Sequence, residues 1–342
     1  MTEQPSLILH HYAGSPFSKK IIWALNIKKL SWKSVIVPSV VPRPLLKQLV
    51  HGYRRIPVLQ IGSDIFVDTS MILEELERRF PEPSLFPKRK GSDKSDIGLA
   101  KSIIFWTDRH FFPVVLRSSY VSIDPSTPKI FTSKEFLEDR SVLLGYKINL
   151  EKLLPTRPQI LDEIRSHFEL TELQLNDDRE WFLDTVTPGI ADIHVGAQLF
   201  FLNITKSAND IANPEKYPKT YKWFQRFGKY IGENQLPPIK ITGEEALNIA
   251  KRYKPVTARI AQLEDKSDFF RKIGDRVKIE PDDYGRIPTI GVIVSLGSSH
   301  VAIIPDDVDK TGIKVAIWFP RIGYKITLVD DNNNNNNNKS KL

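Results

Sequence analysis

Ser15 is followed by Pro16, Phe17 and Ser18, after a short apolar run at residues 7–10 and a turn at Ala13-Gly14. Serine is a favoured N-cap and proline is tolerated at the first helical position, so these residues place a hydroxyl at the mouth of a helix. The free N–H groups and the helix dipole there favour negative charge. Tyr12, three residues earlier, brings a second hydroxyl near the same place. Asp68-Thr69 opens a second helical pattern carrying Met71, Ile72 and Leu76, and so puts a hydroxyl and free N–H groups at another helix start, an anion site. Arg54 and Arg55 stand just before Ile56-Pro57. There is no cysteine, which excludes disulfides, zinc-thiolate sites and a cysteine nucleophile. The seven histidines show no metal-ligand spacing, and no metal is expected.

The elements that must position these groups follow from pattern. Residues 33–38 suit a second strand, 56–61 a third and 65–67 a fourth, with a turn at Gly62-Ser63-Asp64. A short helix is expected near residues 40–49, and Pro81 and Pro83 stop the helix begun at Asp68-Thr69. This is a β-α-β-(α)-β-β-α order, a mixed α/β domain. Helical periodicity then runs from residue 91 to about 270, with a capping box at Thr242-Gly243-Glu244-Glu245. After Val277 the period becomes two, and five short strands predict a small β barrel or meander. The expected division is 1–87, 91–265 and 268–329, followed by a tail at 330–342. That tail holds seven consecutive asparagines, cannot bury surface to offset chain entropy, and is expected to be disordered.

The net charge of +8 admits anionic partners. Its densest run, residues 87–90, is followed by Gly91, Ser92 and Asp93 and reads as a solvated linker, so no nucleic-acid partner is expected. No apolar run approaches the ~20 residues that span a bilayer, and residues 1–6 lack the pattern of a secretory signal, so no membrane partner and a cytoplasmic location are expected.

Four features occur in order: Ser15-Pro16-Phe17-Ser18 at a strand-to-helix turn, Arg55-Ile56-Pro57-Val58-Leu59 at a strand start, the 62–66 hairpin, and Asp68-Thr69-x-Met71-Ile72 at a helix start. The set resembles the thioredoxin-like glutathione-binding domain of the glutathione S-transferase superfamily. Pro188-Gly189-Ile190-Ala191-Asp192 is similar to the helix-capping segment of the family's all-helical second domain, with Gly189 where Ser or Thr is usual. Gly274-Asp275-Arg276-Val277, Asp283-Tyr284-Gly285 and Phe319-Pro320-Arg321-x-Gly323-Tyr324 resemble a little-studied branch in which a β domain follows the helices.

The resemblance implies glutathione as co-substrate, joined to an electrophile or reducing an organic peroxide, with Ser15 supporting the thiolate and Tyr12 as the rival donor. It implies a cis Pro57 that frees the backbone of Ile56 for the cysteinyl residue of glutathione. Asp68 and Thr69 then take the γ-glutamyl end, although Asp replaces the usual longer Glu or Gln. Arg55 stands near the glycine carboxylate, in a 51–55 loop that looks longer than typical. Trp106, His110 and Phe111, on the first helix of the second domain, are candidates for the substrate pocket. A detoxifying homodimer is the family expectation. The alternative is a non-catalytic binding or interaction protein that keeps the fold.

Overall fold

The computed structural model describes residues 5–255, 270–306 and 312–329, so the asparagine tail lies outside the described residues. The first 80 residues form β1 (Leu7–His11), α1 (Pro16–Ile27), β2 (Lys33–Ile36), α2 (Pro44–Val50), β3 (Val58–Ile61), β4 (Asp64–Val67) and α3 (Thr69–Arg79). β2 runs parallel to β1, β3 antiparallel to β1, and β4 antiparallel to β3. This is the expected thioredoxin-like unit. Alternation along its strands sends Leu9, Leu59 and Phe66 to one core and Ile8, Val58 and Val67 to another on the opposite face.

The helical part follows as α4 (Ile97–Trp106), a π-helical turn (Thr107–Phe111), α5 (Phe112–Tyr120), α6 (Lys134–Leu144), α7 (Leu150–Leu153), α8 (Arg157–Gln174), α9 (Ile190–Thr205) and α10 (Pro218–Glu233). α9 packs on α1 and is buried along most of its length. Its buried Asp192 accepts from the Gly189 and Phe182 N–H groups, both at 2.9 Å, and from Trp223 Nε1 at 2.8 Å. A Cβ at Gly189 would sit 2.9 Å from the Leu85 carbonyl oxygen and 2.7 Å from Pro87 Cδ, which explains why glycine replaces the usual capping hydroxyl. The stretch is not wholly helical. A two-residue strand, β5 (Ile239–Lys240), joins β2 in parallel before α11 (Gly243–Arg252), which packs against α2 and β2.

The C-terminal strands are β6 (Arg276–Pro281), β7 (Thr289–Leu296), β8 (His300–Pro305), β9 (Ala316–Pro320) and β10 (Tyr324–Leu328). Their order is β10-β6-β7-β8-β9, antiparallel throughout. β9 and β10 stand at opposite ends of that order, yet only residues 321–323 join them, so the sheet curls back on itself in barrel-like fashion. The module is not detached. β9 pairs in parallel with β4, producing one continuous ten-stranded sheet with the N-terminal unit. β9 is buried on both faces: Trp318 stacks on Phe66 with ring centroids 5.5 Å apart, while Ile317 and Phe319 enter the opposite core with Val58 and Val67. A strand apolar on both faces needs cover on both. Pairing with β4 also removes what would otherwise be an open edge.

Candidate functional site

A cavity of about 400 Å³ lies where the three parts meet. Tyr12, Ser15, Arg55, Ile56, Pro57, Asp68 and Thr69 all line it. Each is put there by local backbone chemistry. Ser15 is the N-cap of α1, and its Oγ accepts from the Ser18 N–H at 3.1 Å, which leaves the hydroxyl proton to donate elsewhere. The Ile56–Pro57 peptide is cis. Among the described residues no hydrogen bond involves the Ile56 backbone, so its N–H and C=O remain available to a ligand's main chain.

Asp68 caps α3 with φ +72°, outside the range L-residues prefer, and such outliers cluster at functional sites. Its Oδ1 accepts from the Ser70 N–H at 3.0 Å and the Ser70 hydroxyl at 2.7 Å. Its Oδ2 accepts from the Tyr324 hydroxyl, brought from β10, at 3.2 Å. Burial pushes the Tyr324 phenol well above its usual range, so it remains a donor at neutral pH. Thr69 is the first residue of α3, where N–H groups have no helical partner.

The opposite wall was not legible beforehand. Phe112 and Leu116 on α5, Phe136 and Arg140 on α6, and Phe201 on α9 face the cavity with Phe131. Trp106, His110 and Phe111 do not line it. Phe111 is fully buried against His167, ring centroids 4.5 Å apart, Trp106 donates to His167 Nδ1 at 3.1 Å, and His110 is exposed. The π turn takes in an extra residue, so the face presented to the cavity shifts from Phe111 to Phe112.

Four guanidinium groups, those of Arg43, Arg54, Arg55 and Arg140, border the cavity. Asp139 is shared: Arg54 pairs with it at 2.8 Å, and Arg140 with its second oxygen. Arg140 also donates to the Tyr12 hydroxyl at 3.3 Å and lies 4.2 Å from the Phe136 ring centroid. Arg55 is committed to the β module, donating to the Asp283 carboxylate and the Tyr284 carbonyl and resting 4.6 Å from the Tyr284 ring centroid. Arg43 donates only to carbonyls, those of Pro38 at 2.8 Å, Ser39 at 3.0 Å and Arg54 at 2.8 Å. Among the described residues no carboxylate pairs with it. The four guanidiniums therefore face three carboxylates, those of Asp68, Asp139 and Asp283, which leaves an excess of one positive charge.

Beneath the site, Lys20 on α1 is buried and paired with Asp108 in the π turn, whose carboxylate also meets His194 Nδ1 at 3.3 Å. Burial alone would raise the Asp108 carboxyl, but Lys20 and His194 outweigh it and hold it well below the usual range. This network locks the first unit to the helices. Among the described residues, no group of His, Asp and Glu is placed to hold a metal ion, and no helix is long and apolar enough to cross a membrane.

The glutathione S-transferase N-terminal domain family matches residues 9–84, and a domain of unknown function (DUF7962) matches residues 120–235. A probable glutathione S-transferase of Solanum tuberosum is 34% identical over 92 residues, 27% of this chain and 39% of that protein. The match thus spans about two fifths of that relative's length. Glutathione S-transferase U1 of Arabidopsis thaliana is 21% identical over 256 residues, covering 74% of this chain and 98% of that protein. Among solved structures, a GST-like protein from Pseudomonas syringae superposes with a TM-score of 0.66 at 24% identity, covering 95% of this chain and all of that one. Rice GST1 in complex with glutathione gives 0.50 at 19% identity, covering 72% of this chain and 96% of that one. Residues 9–84 therefore carry a glutathione S-transferase N-terminal domain, and the chain has a glutathione S-transferase-like fold.

Proposed function

We propose that the cavity binds glutathione and transfers its thiol to an electrophilic acceptor, or uses it to reduce an organic peroxide. The observation that carries this is Ser15. It is an N-cap hydroxyl with its acceptor side used by Ser18 and its proton free, at the positive end of α1, on the wall of the cavity. Glutathione supplies the nucleophilic sulfur. The chain's part is to hold that sulfur as thiolate: a donated hydrogen bond and a helix N-terminus both favour the charged form. The Ile56 backbone is free for the cysteinyl main chain. The α3 N-terminus at Thr69 suits the γ-glutamyl carboxylate and Asp68 the ammonium. Arg43, which no carboxylate among the described residues pairs with, suits the glycine carboxylate better than Arg55, which the β module has taken.

In conjugation the thiol proton leaves to solvent, the sulfur–carbon bond forms, and the acceptor's leaving group departs with its electron pair. A cytoplasmic, detoxifying homodimer belongs to this proposal as the family expectation. The edge of β4 is covered by β9, so a two-fold pair would use another face.

One observation favours the second reading, a binding protein without turnover. Asp68 and Arg55 are both engaged by the β module, through Tyr324 and through Asp283 with Tyr284. Titration calorimetry with glutathione, followed by the ultraviolet band of bound thiolate, separates the cases. Binding with a thiolate band that vanishes in Ser15→Ala supports the transferase. Binding without turnover across a broad electrophile panel supports the binder, and no binding at millimolar glutathione defeats both.

A further inference from the structure

Tyr324 opens β10, pairs there with Pro281 of β6, and is buried. Its ring is held by Phe319 of β9, centroids 5.7 Å apart, and Phe319 in turn meets the Tyr53 ring at 6.3 Å. The Asp282 N–H donates to the Gly323 carbonyl at 3.0 Å, which ties the turn before β10 to the segment whose Asp283 holds Arg55. This packing aims one hydroxyl at Asp68, 256 residues away in the chain.

We infer that Tyr324 is a positioning residue for the ammonium end of the thiol co-substrate: it orients the Asp68 carboxylate, so that the site prefers thiols carrying a free γ-glutamyl amino group. The inference rests on the proposed function in taking that co-substrate to be glutathione, with its ammonium at Asp68.

A carboxylate offers about four acceptor positions. The Ser70 N–H at 3.0 Å and the Ser70 hydroxyl at 2.7 Å take those of Oδ1, and Tyr324 at 3.2 Å takes one on Oδ2. One position on Oδ2 is left, on a residue that lines the cavity. Among the described residues no cation pairs with Asp68, and Lys20 and Arg55 have carboxylates of their own in Asp108 and Asp283. The Asp68 charge is thus left for a ligand cation. Ser70 fixes one oxygen only, and the contact on the second oxygen is what sets the plane of the carboxylate. The Tyr324 hydroxyl also neighbours that of Tyr53. Its proton goes to the carboxylate, because hydrogen bonds to a charged acceptor are about twice as strong as neutral ones. Tyr324 is not among the residues lining the cavity, so it acts through Asp68 and not on the ligand itself.

The test uses the full chain with two ligands titrated by calorimetry: glutathione, and deaminated glutathione, in which hydrogen replaces the γ-glutamyl amino group. Wild type should bind glutathione about tenfold more tightly than the deaminated form. Tyr324→Phe, which keeps the ring, should weaken glutathione about fivefold and leave the deaminated form within about twofold of wild type. A merely structural role would weaken both ligands alike. Tyr324→Met, which also removes the hydroxyl, takes its place if the phenylalanine variant does not fold. Equal weakening of both ligands, unchanged glutathione affinity in the variant, or equal affinity of wild type for the two ligands overturns the inference and leaves the thiol proposal standing. No glutathione binding by wild type overturns both.

Discussion

The two walls of the cavity are built differently. On the N-terminal wall each polar group is fixed by the backbone next to it: Ser15 by capping α1, Asp68 by capping α3, and Ile56 by the peptide before Pro57. On the far wall Phe112, Arg140 and Phe201 come from segments far apart in the chain and meet only through packing. The first kind of wall survives changes elsewhere in the molecule, whereas the second depends on how the units are joined. The joint is buried, with Lys20 on one side and Asp108 and His194 on the other.

Breaking that joint should have the largest effect. Lys20→Met leaves Asp108 without its main cation and should cost about 3 kcal/mol or more in chemical denaturation. A loss under about 1 kcal/mol would mean that the walls are held together by apolar packing alone. Next comes the local wall. Ser15→Ala should lower kcat/KM about 100-fold, near 2.7 kcal/mol, with little change in glutathione affinity. An equal loss in Tyr12→Phe and none in Ser15→Ala would hand the thiolate to the tyrosine.

Acid should weaken the N-terminal wall's support before it reaches the carboxylates. Burial lowers the His10 imidazole from 6.5 to about 4, with the Gln60 hydrogen bond opposing. As pH falls from 6.5 towards 4 the unfolded chain takes up a proton that the folded chain refuses, so stability drops across that window. The loss at pH 5 is about 2 kcal/mol for this histidine. His10→Gln should flatten the drop in denaturation midpoint between pH 7 and pH 5. The smallest effect distinguishes the arginines. Arg43→Ala should raise the glutathione Kd about tenfold, as expected for losing a charge-assisted contact. Arg55→Ala should raise it less, because its guanidinium is already held by the β module.

Much of the near wall was legible because caps, turns and a proline before a strand are written in consecutive residues. The far wall was not. Phe111 and Phe112 are adjacent and chemically alike, and only the π turn decides which faces the cavity. The motifs Asp283-Tyr284-Gly285 and Phe319-x4-Tyr324 stood out as family resemblance, but their contact with Arg55 and Asp68 could not be read from them. The β strands were visible by their period of two, while their pairing with β4 was not.

The sequence by itself determined the local devices: the helix caps at Ser15, Asp68 and Thr242, the absence of a cysteine nucleophile, and the order of α/β, helical and β segments. Tertiary structure alone decided that β9 extends the first sheet, that Arg55 is taken while no carboxylate among the described residues pairs with Arg43, and that Tyr284 lines the cavity. The physical reason is range. Capping and strand alternation act over a few residues and leave a periodic trace, whereas strand pairing across about 250 residues and the sharing of charges among arginines depend on which surfaces finally meet.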